Sequence, residues 1–487
     1  MDDELHQTAT RLLESAPASV EIPAGTGKTH LLAASVSVAA EKGARSLVLT
    51  HTHAGVDAIR KRLKGFGVDT SSYRVDTISS WAFSLASSYP SIAGIAISEV
   101  PDWSDSREYV IGATRVSESA ALKRVHRSSF DYLFVDEYQD CSVEQHHFIL
   151  TVAEAGPKTV VFGDRLQAIF NFRDNVLVNW DADVVTSFPD IQVNFEPRRW
   201  KGHNEALGAW LLDLRKSLTT GTIIDFAANL VDGITFISDT SPRALATIAH
   251  GFDDFDESVV LLDKWPNDVA GHASRLGGRY SVMEDINGRF MRERLTGSTN
   301  SRSPVMALPS DGDPLIALWF ATFAKECVIG LAALDSTVLS RLSENRSING
   351  LSRVGIQPLV DSLELLRLDA SYTRLSDAAQ VVRSLPSLKI YRWEAWRDTL
   401  NAISMSAENG LPPIENFGLI RDRLRRAGRG PHSRIASRTV LVKGLEYDHV
   451  IVADLTNFTD PQNLYVALSR ARRSITLVGP RSSISLD

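Results

Sequence analysis

Cysteine is nearly absent. Cys141 and Cys327 are the only two in 487 residues, so neither a disulfide framework nor a cysteine-rich zinc site can be built, and both read as ordinary thiols. The histidines supply no zinc pattern either. The closest pairs, His51 with His53 and His146 with His147, lack cysteine partners and a repeated histidine spacing, so no structural metal is expected. No apolar run approaches the roughly 18 residues of a membrane span, and no membrane partner is expected. An excess of positive charge is also missing. The formal net charge of −7 argues against a protein that coats nucleic acid by bulk charge, and leaves local clusters to carry any such contact. The opening Met1-Asp2-Asp3-Glu4 is acidic where a secretory leader is basic and then apolar, so the expected location is cytoplasmic. No repeat or low-complexity tract is visible.

What is present is a chain long enough for three or four compact units of about 150 residues each. Its 44% hydrophobic and 23% charged residues suit a globular protein. Near its start lies Pro23-Ala24-Gly25-Thr26-Gly27-Lys28-Thr29, preceded by a short stretch, Ser19 to Ile22, and followed by a helical pattern, Leu31 to Ala40. Strand, glycine loop and helix are the context of a phosphate-binding loop. Gly25 and Gly27 let backbone N–H groups turn toward a triphosphate, and the helix adds its positive end. Lys28 supplies a cation to the outer phosphates. The Thr29 hydroxyl suits Mg²⁺, a hard cation commonly shared with substrate phosphates. Ile22 stands where the loop pattern usually opens with a small residue. On the loop alone, a chance glycine-rich turn is the competing explanation.

Strand, polar loop and helix recur at Ser46 to Leu49, Thr50-His51-Thr52-His53-Ala54 and a helix with basic positions, Arg60-Lys61-Arg62-Leu63-Lys64. That basic run, and a second made of Arg421, Arg423, Arg425, Arg426, Arg429 and Arg434, could each hold phosphates. The second, with its Gly-Arg-Gly-Pro ending, reads equally as a solvated loop. Phe130 to Val135 forms an apolar strand ending in Asp136-Glu137-Tyr138-Gln139-Asp140, which places two acids where open sheets bind ligands. Asp136 is positioned to hold Mg²⁺, and Glu137 to orient and deprotonate a water attacking a γ-phosphate. A helix N-terminal charge pair is the alternative for two such acids. A third strand, Thr159 to Phe162, runs into Gly163 to Arg173. There Gln167 could sense a γ-phosphate, while Phe170, Phe172 and Arg173 could present rings and a guanidinium to stacked bases. Aromatics at that spacing are also ordinary core residues.

With these residues in order, the chain resembles the superfamily 1A helicases of the UvrD, Rep and PcrA type. Ala24 to Thr29 is similar to their motif I, Thr50 to Leu63 to Ia, Asp76 to Trp81 to Ib, Asp136 to Asp140 to II, and Gly163 to Arg173 to III. Asn194 to Trp200 resembles IV, Lys443 to Tyr447 resembles V, and Tyr465 to Arg472 resembles VI. The resemblance implies an α/β fold of two RecA-like P-loop motor domains, parallel sheets flanked by helices, with reduced helical accessory subdomains. The first motor domain would span 1–190 with a small insertion at 85–129. The second would combine 191–295 with 435–487, and an accessory region would occupy 296–434. It further implies an ATP- and Mg²⁺-dependent DNA helicase or translocase moving 3′ to 5′ on single-stranded or partially duplex DNA. Lys28, Asp136, Glu137 and Gln167 would serve catalysis, joined by Arg199 and Arg470 as arginine fingers from the second motor domain. Ala24, Gly25, Thr26, Gly27, Lys28, Thr29 and His30 would cradle the nucleotide, with Thr29 and Asp136 on Mg²⁺. Gln7 and Arg198 would lie near the base and Glu446 at the sugar. Thr50, His51, Trp81, Phe170, Phe172 and Arg173 would contact DNA.

The sequence departs from that family at several places. His51 stands where phenylalanine is usual, His30 where an arginine often follows the loop threonine, Arg198 where a tyrosine packs on adenine, and Val440 where motif V usually carries histidine. No extension follows motif VI, and no carboxylate-lysine nuclease signature is seen, so any nuclease would be another chain. In size and layout the chain also looks like GajB, the compact helicase component of Gabija anti-phage systems, which works beside a separate nuclease subunit; a GajA-like partner and a role in defence or repair are thereby implied. The alternative is a nucleotide-gated assembly subunit with little unwinding of its own, because the reduced accessory regions leave little surface for separating strands.

Overall fold

A computed structural model describes residues 1–96, 105–171, 175–220, 223–228, 230–252, 256–299, 304–427 and 433–486. The chain packs as two compact units. One gathers Met1–Ile234, Phe458–Ser474 and Ser483–Asp487, the other Thr235–Asn457 and Ile475–Ser482.

The first unit is built on five parallel strands: β1 (Ala18–Glu21), β2 (Ser46–Thr50), β3 (Tyr73–Thr77), β4 (Tyr132–Val135) and β5 (Lys158–Gly163). They lie in the order β1-β5-β4-β2-β3. The apolar runs of β2, β4 and β5 are short and unbroken, as strands covered on both faces require, whereas the edge strand β3 alternates with Arg74 and Asp76. Val48, Phe134, Val160 and Phe162 pack into one cluster with Leu12, Leu32 and Val36 of the helices α1 (Asp3–Ser15) and α2 (Lys28–Glu41). Leu47, Leu49, Leu133, Val135 and Val161 pack into another, with Phe148 and Trp180. The period-two alternation of the strands thus feeds two separate cores.

After β2 and β3, a threonine at the strand end or just past it starts the next helix. Thr52 accepts from the Gly55 N–H at 3.0 Å to open α3 (His53–Gly65), and Thr77 accepts from the Ser80 N–H at 3.0 Å to open α4 (Ile78–Ser88). These caps satisfy N–H groups that a helix leaves without partners. They also keep the loops at the carboxyl end of the sheet short, which is where the site lies. In the stretch where a small insertion was expected, helices run over Ser106–Glu118 and Ala120–Ser129.

The second unit carries a six-stranded sheet in the order Ile234–Ile237, Ala471–Val478, Tyr447–Val452, Val259–Asp263, Arg434–Arg438, Ser281–Val282. The last four of these strands pair in parallel. Helices between Ile316 and Asn409 share a core in which Trp319 stacks on Phe323 at 5.1 Å and Phe323 on Trp396 at 5.8 Å. The apolar pattern at Leu359 to Leu368 is the helix Gln357–Leu368. Two large parallel sheets flanked by helices are therefore the fold. By packing, residues 191–234 and 458–474 group with the first sheet, whereas motif order divides the chain at 190. The physical reason is a set of bonds from Arg199, Arg215 and Arg470 to the first sheet's loops, given below.

The second basic run is not a phosphate-holding loop where it is described. Arg421 sits on the helix Pro413–Ala427, where its Nη1 bonds Glu394 and Asp398, each at 2.8 Å, and its Nε donates to the Ile286 carbonyl at 3.0 Å. Arg434 likewise donates to the carbonyls of Phe252, at 2.8 Å, and Glu257. The side chains of Arg425 and Arg426 and all of Arg429 lie outside the described residues. Arg421 and Arg434 are turned inward, where each must be paired, while Arg423 stays exposed. Replacing Arg421 by Ala removes the buried cation that Glu394 and Asp398 share, although Asp398 keeps Arg397 at 2.7 Å. It should cost the second unit about 3–5 kcal/mol in urea unfolding, and an unchanged midpoint would show that the cluster contributes nothing.

Candidate active site

The glycine loop leaves the carboxyl end of β1 and enters α2. Gly25 (φ +75°) and Gly27 (φ +104°) both occupy the left-handed region, which glycine adopts without penalty. Space also demands it, since a Cβ at Gly25 would fall 2.9 Å from the Trp200 ring and one at Gly27 would meet Arg198 at 3.0 Å. The Ala24 N–H is shared by Asp164 Oδ2 at 3.0 Å and the Tyr465 hydroxyl at 3.1 Å. Thr26 Oγ1 donates to the Pro23 carbonyl at 2.7 Å.

Lys28, Thr29, Asp136 and Glu137 meet at the ends of β1 and β4. Lys28 Nζ lies 2.7 Å from Glu137 Oε1 and 3.7 Å from Asp136 Oδ1, and Thr29 Oγ1 donates to Asp136 Oδ2 at 3.3 Å. Burial pushes the Asp136 carboxyl up to about 6, against the pull of the Lys28 ammonium. Burial opposes the charge on Lys28, but Glu137 and Asp136 outweigh it and hold the ammonium above its usual range. Glu137 has φ +57°, an uncommon conformation outside glycine. Its N–H donates to Asp136 Oδ1 at 2.9 Å, and its Oε2 accepts from Gln139 Nε2 at 2.6 Å. Carboxylate and hydroxyl oxygens converging here form a donor set suited to Mg²⁺, so the residues present fit that ion.

Behind the loop is a polar hub. Asp164 is fully buried, and it accepts from Leu166 N–H at 3.2 Å, Gln167 Nε2 at 3.0 Å, Ala24 N–H and Arg215 Nη1. Its own N–H donates to Gln139 Oε1 at 3.0 Å. Gln167 Oε1 accepts in turn from Arg470 Nη2 at 3.2 Å. Arg470 is 1% exposed and is fixed by bonds to the Val466 carbonyl and Ser469 Oγ at 2.9 and 2.8 Å. Arg199 donates its backbone N–H to the Gly25 carbonyl at 2.9 Å and its Nη1 to the Ser469 carbonyl. Both arginines thus pack in the first unit, together with Lys28.

A cavity of about 250 Å³ adjoins the loop, bounded by Thr8, Ile22, Gly27, His30, Phe195 and Arg198 among others. Gln7 is exposed on α1 and is not part of that wall. The His30 imidazole is held below its usual range by burial and by Arg198 and Arg62. Glu446 is exposed in the second unit, just before the strand Tyr447–Val452.

The expected DNA contacts fare unequally. Trp81 must be corrected: it is 3% exposed and packs between His126 and Phe148 at ring distances of 5.5 and 5.3 Å, so it has no face open to a base. Thr50 is also buried, at 1%. His51 is half-buried with its Nε2 3.5 Å from Cys141 Sγ. Phe170 is half-buried, and Phe172 and Arg173 lie outside the described residues. The first basic run stays on the surface of α3. Arg60 and Lys64 line an open groove with Arg45 and Arg74, although Arg60 also donates to the Val75 carbonyl at 2.9 Å. Sequence reading missed Asp164, Gln139 and Arg215 as site residues. For the first two the signal was their place within motif-like segments, while Arg215 carried none.

Residues 94–182 match the family model described as the UvrD/REP helicase N-terminal domain, a span that holds Asp136, Glu137, Gln139, Asp164 and Gln167. Among solved structures, the chain is similar to the Pif1 helicase from Candida albicans, with 11% identity, a TM-score of 0.42, and coverage of 98% of this chain and 94% of that one. No curated protein matches the chain.

Core placement of Trp81 sets a prediction. Trp81→Ala should destabilise the first unit by about 3–5 kcal/mol through the cavity left beside Phe148, as read by chemical denaturation. Unchanged stability together with weakened DNA binding would instead return Trp81 to the surface role expected from the sequence.

Proposed function

We propose that the chain is an ATP-driven motor of the superfamily 1 helicase type that moves along single-stranded DNA. The observation that carries this reading is the meeting of Lys28, Thr29, Asp136 and Glu137 at the carboxyl end of the first sheet, past β1 and β4. The match of residues 94–182 to a helicase family model supports it. In this reading Thr29 and Asp136 hold Mg²⁺, and Lys28 binds the outer phosphates. The ion supplies charge neutralisation on the phosphates when bound. Glu137 Oε1 accepts the proton of the attacking water, while Gln139 on its Oε2 holds the carboxylate's orientation. Arg470 sets its guanidinium on Gln167, and Arg199 is held at the loop through its backbone bond to Gly25, so both would be at hand where charge develops during phosphoryl transfer.

DNA would be held by exposed cations of α3 and by Phe170, through phosphate contact and ring stacking. The family resemblance gives 3′ to 5′ as the direction to test, and the GajB-like layout makes a nuclease subunit the partner to seek. No helix among the described residues is long and apolar enough to cross a membrane.

ATP hydrolysis measured with and without single-stranded DNA tests the proposal. Wild type should be strongly stimulated, and Lys28→Ala and Glu137→Gln should each lose about 100-fold or more. Full activity in Lys28→Ala would overturn the assignment. A DNA-indifferent rate would favour the nucleotide-gated assembly subunit.

A further inference from the structure

Arg215 belongs to none of the motif-like segments, yet among the described residues it is the one cation bonded to both acids that frame the glycine loop. It lies on the helix Glu205–Thr220 with 14% of its side chain exposed. Its Nη2 bonds Glu21 Oε1 at the end of β1, and its Nη1 bonds Asp164 Oδ1 just past the end of β5. Glu21 pairs in register with Gly163, so the fork closes the gap between two adjacent strand ends. Its guanidinium also lies 5.4 Å from the centroid of the Tyr465 ring. Asp164 and Tyr465 are the two groups that accept the Ala24 N–H, and Asp164 also holds Gln167.

We propose that Arg215 is a positioning residue for nucleotide turnover, acting through Asp164 and Tyr465 to set the start of the glycine loop and the Gln167 amide. The role rests on the functional reading above. A planar fork can hold two carboxylates in fixed directions, which a point charge cannot. Removing it leaves Asp164 free to turn away from Ala24 and Gln167. Burial already raises the Glu21 carboxyl against the pull of Arg215 and Arg165, so simple charge balance is the competing structural role.

Steady-state ATP hydrolysis in the presence of single-stranded DNA and thermal unfolding, read on the same proteins, separate the two roles. Arg215→Lys keeps the charge and should fold, with kcat lowered about tenfold or more and KM within about threefold of wild type. The double variant Arg215→Met with Glu21→Gln removes one cation and one anion together. It should unfold nearer the wild-type temperature than Arg215→Met alone, because one anion leaves with the cation while Asp164 keeps its bonds from Ala24, Leu166 and Gln167, and it should still show the lowered kcat. Lys216→Ala, an exposed position on the same helix, is the control and should behave as wild type. A wild-type rate in either Arg215→Lys or the double variant would overturn the positioning role and leave Arg215 as charge balance only. If the double variant unfolds early, Arg215→Lys decides alone. A wild-type protein that hydrolyses no ATP would sink the functional reading, and this role with it, which differs visibly from an active wild type with equally active variants.

Discussion

A fully buried carboxylate is among the most expensive groups a fold can contain unless it is paired, and the first unit is arranged around a paired one, Asp164. Asp164 takes bonds from the glycine loop, from its own 3-10 turn, from Gln167 and from Arg215, while its N–H is held by Gln139. Those partners come from separate strand ends and from a helix beyond the sheet. Satisfying one side chain therefore fixes the loop that follows β1, the turn that follows β4 and the turn that follows β5 relative to one another. The two acids at Asp136 and Glu137 inherit their geometry from that frame, because Gln139 bridges it to Glu137.

Within the frame, burial and attraction nearly balance. Burial favours a protonated Asp136, and the Lys28 ammonium, itself buried, works against it. Glu137 differs because it is about a third exposed as a side chain, at 30%, so one carboxylate is dry and the other wetted. That difference suits a metal ligand and a proton acceptor, respectively.

Much of this was legible before any coordinates. Leu47-Val48-Leu49, Leu133-Phe134-Val135 and Val160-Val161-Phe162 are unbroken apolar runs, and such runs followed by Gly, Asp or Thr mark strand ends and the loops after them. Lys28 with Asp136 and Glu137 could be paired because each lies beside such an end. Arg215 could not, since its bonds cross 51 and 194 residues of sequence to Asp164 and Glu21 and no local pattern encodes them. Trp81 and Arg421 were misread for one shared reason. Neither an aromatic nor a cation declares from its neighbours in sequence which way it will point, and here both turn inward. Domain limits drawn from motif order diverge from packing for a related reason, because Arg199 and Arg470 are tied to the first sheet's loops by bonds formed over long sequence distances.

The short contact between Lys28 and Glu137 has a further consequence. The chain supplies its own counter-charge to the lysine, at a local concentration that is fixed and high, so an anion held by Lys28 would have to displace Glu137. On the function proposed above, binding and priming would then be a single exchange: the phosphate would displace the carboxylate, and the same displacement that admits the fuel would unmask the base.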